Sequence, residues 1–228
     1  LNIGGLIRNS LIDFPGRPTV VVFTQGCNWR CPYCHNAALI PLHGVNQIAP
    51  DAVFAVLDQR PATARSLVVT GGEPTLQPGL ISFLQEAKRR CVTVKLDSNG
   101  SRPMTLREII QAELVDYIAL DVKGPLARYP KYCGKRVTLA ALRESIHLVM
   151  LSGVDYEFRT TVVPALHSVD DIAAVGHELA GGRHLYLQPF RSEQTLRPKL
   201  LGSDEPSRAF LESCAERARR WIPTTIRI

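Results

Sequence analysis

The 228-residue chain has no apolar run approaching the ~20 residues that cross a bilayer, and it does not open with a basic-then-apolar secretion signal. It begins at Leu1 rather than Met, which leaves room for a short leader that was removed. With neither a span nor a signal, the cytoplasm is the expected compartment and no membrane partner is expected. Low-complexity linkers, blocks of like charge and internal repeats are all missing, so one domain over residues 1–228 is expected. Lys and Arg outnumber Asp and Glu by 27 to 21, yet no basic run is dense enough to argue for direct nucleic-acid binding. Hydrophobic residues at 45% and charged residues at 21% exclude wholesale disorder. A chain of this size buries roughly 70–75% of its unfolded surface, so its core needs no disulfide scaffold.

Cysteine is scarce and unevenly placed. Of six, Cys27, Cys31 and Cys34 crowd together, while Cys91, Cys133 and Cys214 are scattered. That is not the spacing of a secreted disulfide framework; it points to metal binding or catalysis in a reducing compartment. The scattered three read as buried apolar fillers. His43, His147, His167, His177 and His184 share no spacing, and no role is assigned to them.

Along the chain, buried-strand runs alternate with helical patterns. Thr19–Thr24 (TVVVFT) and Ser66–Thr70 (SLVVT) are β-branched runs of the kind buried on both faces. Val92–Asp97, Asp116–Asp121, Tyr156–Val163, Leu185–Leu187 and Thr225–Ile228 continue the strands. Helices are expected at Asp51–Arg60, Pro78–Arg90, Thr105–Glu113, Thr138–Leu151, Ser168–Ala180 and Glu205–Trp221, with Pro78 in a first turn and Ser168 with Asp171 forming a capping box. Repeated β-then-α units argue for a parallel sheet, and about six to seven of them suit a partial or full barrel, with a flat doubly wound sheet as the rival.

Directly after the first buried strand, Gly26–Asn36 reads GCNWRCPYCHN, a Cys-x3-Cys-x2-Cys loop. In parallel α/β folds the C-terminal ends of strands carry the chemistry. Three thiolates on one tight loop suit a soft-metal centre. Zinc would want a fourth ligand, for which His35 is the candidate on paper, although it adjoins Cys34. An iron–sulfur cube is the better match, because Cys is its normal ligand. Three thiolates would leave one of four irons open to a substrate.

The loop, with Tyr33 before the last Cys, resembles the signature of the radical S-adenosylmethionine (SAM) superfamily. CPYCHN, Ser10–Gly16 (SLIDFPG) and VVFTQGCNWRCPYCHN are similar to the glycyl-radical-enzyme activases, above all those of anaerobic ribonucleotide reductase, and also to pyruvate formate-lyase activating enzyme. The resemblance implies a partial (β/α)6-type barrel and one [4Fe–4S] cluster on Cys27, Cys31 and Cys34, with SAM on the fourth iron. No side chain is expected to be catalytic beyond the cluster and SAM. It further implies a glycyl-radical enzyme as partner, with anaerobic ribonucleotide reductase the first candidate.

Site residues follow from the same resemblance. Gly71, Gly72 and Glu73 of TGGEPT would lie by the methionine amino group, and Asp97 and Ser98 of DSNG by the cationic end of SAM or a monovalent cation. Asp121 and Lys123 of DVK would meet the ribose hydroxyls and the SAM carboxylate. Arg159, Thr161 and Val162 of YEFRTTVVP would line the adenine and methionine, with Tyr33, His35 and Asn36 near the adenine. Gln188 of LQPF stands where pyruvate formate-lyase activases carry His in a similar setting. Taken alone, GG-x-P would serve a strand-to-helix turn equally well, and Asn-Gly is itself a common turn, though a ligand role is the favoured reading of DSNG. The 36 residues between Cys34 and Gly71 leave no ferredoxin-like insert, so electrons are expected from an external donor such as flavodoxin or ferredoxin. Two rival readings are a small-molecule radical SAM enzyme resembling 7-carboxy-7-deazaguanine synthase, and a zinc-stabilised binding module without catalysis.

Overall fold

The computed structural model describes residues 1–44 and 47–227. Its strands are β1 (Ile3–Ser10), β2 (Thr19–Thr24), β3 (Ser66–Gly71), β4 (Thr93–Ser98), β5 (Tyr117–Asp121), β6 (Asp155–Val162), β7 (Leu185–Pro189) and β8 (Thr224–Ile226). They form one sheet in the order β1-β2-β3-β4-β5-β6-β7-β8. β2 to β8 are parallel neighbours, whereas β1 joins β2 antiparallel, with Ile3 opposite Thr24 and Ser10 opposite Thr19. The parallel sheet expected from the β-then-α rhythm is therefore present, extended by an edge strand that the sequence reading omitted. No ladder among the described residues joins β8 back to β1, so the barrel is partial.

The helices are α1 (Pro50–Asp58), α2 (Leu80–Arg89), α3 (Pro103–Gln111), the single turn α4 (Pro130–Cys133), α5 (Leu139–Leu151), α6 (Val169–Glu178) and α7 (Arg208–Ala218). All six expected helices occur, shifted by a few residues at their ends. Pro50 and Pro103 open α1 and α3, where a missing N–H costs nothing. Pro78 instead precedes Gly79, the cap of α2. The Ser168–Asp171 capping box is formed. Of the expected Thr225–Ile228 strand, Ile228 lies outside the described residues. Cys133 and Cys214 are buried as expected, but Cys91 is exposed on a turn with φ 55°. Among the described residues no helix is long and apolar enough to cross a membrane.

Alternation along the strands sorts the side chains into two sets. Val20, Val22, Leu67, Val69, Val94, Leu96, Ile118, Leu120, Phe158, Leu185 and Leu187 join the main core. The intervening residues face the concave side. There Val21 and Val68 pack with Phe14, which the β1–β2 connection inserts beside Tyr117. Apart from Phe23 and Ala119, the rest of that side is polar: Lys95 and Asp97 on β4, Asp121 on β5, Glu157, Arg159 and Thr161 on β6, Gln188 on β7. Such a lining is not a core; it is a site.

Candidate functional site

The cysteine loop leaves β2 and is fixed from several directions. Gly26 and Cys27 donate to the Leu39 and Ile40 carbonyls at 2.7 and 3.0 Å, Arg30 N–H donates to the Cys133 carbonyl at 2.9 Å, and Arg197 N–H to that of Pro32 at 2.9 Å. Glu73 N–H reaches the Gly26 carbonyl at 2.9 Å and Gly72 N–H that of Thr24 at 2.9 Å. A Cβ on Gly72 would overlap the Gly26 carbonyl, and one on Gly71 the Thr24 backbone. The glycine pair therefore serves the contact between the β3 end and the cysteine loop, besides facing the site.

Cys27, Cys31 and Cys34 are free, partly accessible thiols. Burial pushes Cys27 up to about 11 and Cys31 to about 12, so metal binding at neutral pH must displace their protons. Among the described residues no three His, Cys, Asp or Glu side chains close to the spacing of a single metal ion. A cube, with its irons at separate corners, accepts ligands set further apart. His35, the paper candidate for a zinc ligand, is committed elsewhere: its Nε2 lies 2.9 Å from the Arg191 carbonyl and its ring stacks on Phe190. Glu73 is held too, its buried carboxylate accepting from Thr75 N–H at 3.1 Å, Thr75 Oγ1 at 2.5 Å, Ser98 Oγ at 2.8 Å and Asn99 N–H at 2.7 Å. The available donor set is three sulfurs, which fits an iron–sulfur cluster with an open corner. Trp29 N–H points at Cys27 Sγ at 3.4 Å, the kind of contact that tunes cluster sulfurs.

One cavity of about 400 Å³ collects nearly every residue singled out in the sequence. Cys27, Cys31, Cys34, Tyr33, His35, Asn36, Gly71, Gly72, Glu73, Asp97, Ser98, Asp121, Lys123, Arg159, Thr161 and Gln188 all line it. Its volume suits a nucleotide-sized ligand. Val162 is the exception: one residue beyond Thr161, it turns away and is fully buried in the core. Asp13, Phe23, Trp29, Thr70 and Asn99 line the cavity as well and were not singled out. Asp13 belongs to the quoted SLIDFPG and Asn99 to DSNG, so both motifs held a further signal. The Tyr33 hydroxyl is buried without a partner among the described residues, a donor left for a ligand.

The cavity wall is a chain of alternating charges. Lys95 Nζ donates to Asp97 Oδ1 at 2.8 Å, and Arg159 spans Asp97 Oδ2 at 3.0 Å and Asp121 Oδ1 at 2.9 Å. Lys123 Nζ completes it with Asp121 Oδ2 at 2.9 Å. Burial opposes ionisation of Asp121, but Arg159 and then Lys123 overcome it and hold the carboxyl well below the usual range. Burial likewise opposes the Asp97 charge, and Arg159 and Lys95 win. Burial would neutralise Lys123, yet Asp121 keeps it protonated. All four carboxylate oxygens thus face a side-chain cation, so the monovalent cation expected near Asp97 meets a site already compensated. Each oxygen retains a lone pair for a ligand hydroxyl.

His167 has a place the sequence did not reveal. Its Nδ1 accepts from Val163 N–H at 3.1 Å and its Nε2 donates to the Lys123 carbonyl at 2.9 Å, while Tyr129 Oη accepts from Lys123 N–H at 3.0 Å. Lys123 is therefore clamped on both sides of its backbone.

These features define an α/β protein with a three-cysteine loop and a charged cavity at the C-terminal ends of parallel strands. The chain belongs to the radical SAM superfamily, whose family model matches residues 21–174. Within it, the chain is 29% identical over 98% of its length to "Putative glycyl-radical enzyme activating enzyme MJ1227" of Methanocaldococcus jannaschii, covering 94% of that protein. Pyruvate formate-lyase-activating enzyme of Clostridium pasteurianum matches half of the chain at 35% identity, over 48% of its own length. 7-carboxy-7-deazaguanine synthase of Thermococcus kodakarensis is 26% identical over 87% of the chain and 83% of its own. Among solved structures, QueE from Escherichia coli superposes with TM-score 0.58 at 18% identity, covering 99% of this chain and 93% of that one. Streptococcus suis SuiB bound to S-adenosylmethionine gives TM-score 0.68 at 12% identity, covering 90% of this chain and 48% of SuiB. Family membership implies a [4Fe–4S] cluster and SAM, and the donor set and cavity described above suit both.

Proposed function

We propose that this protein is a glycyl-radical-enzyme activase with Cys27, Cys31 and Cys34 as its cluster ligands. The observation that carries the reading is the convergence of the cysteine loop, the Gly-Gly-Glu turn and the Asp97–Arg159–Asp121–Lys123 chain on one cavity. When bound, the cluster and SAM supply one-electron cleavage of the sulfonium S–C5′ bond, which yields methionine and a 5′-deoxyadenosyl radical able to abstract a glycine hydrogen. The chain's own residues bind and orient. Lys123 offers its ammonium to the SAM carboxylate, Asp121 its free lone pairs to ribose hydroxyls, and the Gly71–Gly72 turn its carbonyls to the amino group. Tyr33 and Asn36 border the adenine, and His35 reaches the same edge. Glu73 acts indirectly, holding the β3 and β4 ends together. Similarity over nearly the whole length to an activating enzyme supports a large protein partner, with anaerobic ribonucleotide reductase as the first candidate. The match to 7-carboxy-7-deazaguanine synthases supports a second reading, in which a small molecule replaces the partner's glycine.

Anaerobic reconstitution with iron and sulfide should give brown protein that, with dithionite and SAM, releases 5′-deoxyadenosine and methionine. Cys31→Ala should lose both colour and cleavage. An electron paramagnetic resonance doublet on added anaerobic reductase supports the activase; turnover of a small deazapurine precursor instead supports the synthase. Protein that holds one zinc ion and does not bind SAM refutes both.

A further inference from the structure

Two segments of this chain contain no acidic residue. Residues 26–44 hold the cysteines and Arg30, and residues 122–138 hold Lys123, Arg128, Lys131, Lys135 and Arg136. The fold presses them together. Arg30 N–H donates to the Cys133 carbonyl at 2.9 Å, and the Trp29 and Tyr129 rings meet edge to face at 5.5 Å. Gly134, at φ 70°, lies so close that a Cβ there would overlap the Arg30 carbonyl.

Two of these charges are spent inside the molecule, Lys123 on Asp121 and Arg128 on Asp171. Among the described residues the Arg30 and Lys131 side chains donate to neutral carbonyls alone, of Cys27, Trp29 and Leu166. Lys135 and Arg136 are exposed, with no ion pair among the described residues. Four positive charges without an ion pair among the described residues thus lie on the cysteine loop (Arg30) and on the segment packed against it (Lys131, Lys135 and Arg136). Of the four, Arg136 borders a second cavity of about 330 Å³, whose lining also includes Asn28, Trp29 and Ser101. Trp29 lines this cavity and the SAM cavity alike, and both Asn28 and Trp29 lie between the ligands Cys27 and Cys31.

We propose that this basic surface docks an acidic one-electron carrier protein and sets the route by which the cluster is reduced. The inference rests on the radical SAM reading above, in which each SAM cleavage consumes one electron. In the docked complex the carrier's reduced centre loses one electron and the cluster gains it; no bond changes and no proton moves. A concentrated positive field speeds encounter with an acidic protein and fixes its orientation. The surface lies against the cluster loop, where the electron must arrive, and Trp29 separates it from the substrate cavity.

The test compares two reductants in the reconstituted enzyme, reduced flavodoxin and dithionite, reading 5′-deoxyadenosine formation. Lys135→Glu/Arg136→Glu should lower the flavodoxin-driven rate by roughly tenfold or more while leaving the dithionite-driven rate unchanged. The neutral pair Lys135→Met/Arg136→Met should fall between, and raising ionic strength should bring the wild type down toward the variants. The dithionite rate also reports that each variant is folded. Flavodoxin-driven rates unchanged by charge reversal overturn the proposal. So does normal SAM cleavage with either reductant combined with failure to install the radical on the partner, which assigns the surface to that partner. If the wild type cleaves no SAM with dithionite, the radical SAM reading itself fails and this inference falls with it.

Discussion

Lys95 is a lysine with 1% of its surface exposed, and it survives there because a carbonyl and two carboxylates stand around its ammonium. Its ammonium donates to the Asp13 carbonyl and to Asp97 Oδ1, both at 2.8 Å, and lies 4.0 Å from Glu157 Oε1. Glu157 is fully buried too and receives Arg227 through two bonds of 2.9 and 2.7 Å and Tyr117 Oη at 3.0 Å. Removing one member of such a set strands the others. Lys95→Met should therefore destabilise the fold by about 3–5 kcal/mol, measured by urea unfolding. It should also weaken SAM binding, because Asp97 loses one of its two anchors. The sequence contained the signal for these residues, though strand runs read by hydrophobicity passed over it. Lys95 and Asp97 share one parity, as do Glu157, Arg159 and Thr161, and a charge recurring every second residue inside a strand marks an inward polar wall.

At the scale of elements, the junction of the β3 end with the cysteine loop is backbone against backbone, so neither side can yield by changing a rotamer. Gly72→Ala should cost roughly 1–3 kcal/mol. It should also reduce the iron bound per chain after reconstitution, which a purely local loss of stability would leave unchanged. The motifs that converge here were legible because they sit in short, punctuated stretches at strand ends. Strand β1 was not, since IGGLIRNS carries two glycines and no clean alternation, and its place depends on pairing with β2. Helix starts were legible where capping chemistry is local, as at Ser168, and drifted by a few residues elsewhere. Val162 shows the limit of motif transfer: a residue adjoining a lining position falls on the opposite face of its strand.

The whole molecule's response to acid follows from groups whose folded and unfolded affinities for protons differ. Burial lowers His167 from 6.5 to about 4, and its Nδ1 faces an N–H that would oppose a second proton. The unfolded chain therefore takes up that proton first. Stability from this residue is complete above pH 6.5 and is lost as pH falls toward 4, at about 1.4 kcal/mol per pH unit. Glu73, raised by burial, acts in the opposite sense at the acidic end of this range. Asp97 and Asp121 are depressed, so their contribution persists above the ordinary carboxylate value of 3.8 and disappears only as pH drops through their lower folded values. Urea midpoints measured from pH 7 to 4 should decline in the wild type, and His167→Gln should flatten that decline.

Because each strand lies beside its neighbour in sequence, the sheet can grow in the order in which the ribosome delivers it, each new βα unit settling on a finished edge. The exception is the bottom of the concave wall. Glu157 enters with β6, yet Arg227, its bidentate partner, emerges some seventy residues later. Until then Glu157 has the Tyr117 hydroxyl and the more distant Lys95 ammonium for company, and the closing of the Arg227 pair is the event that completes the wall.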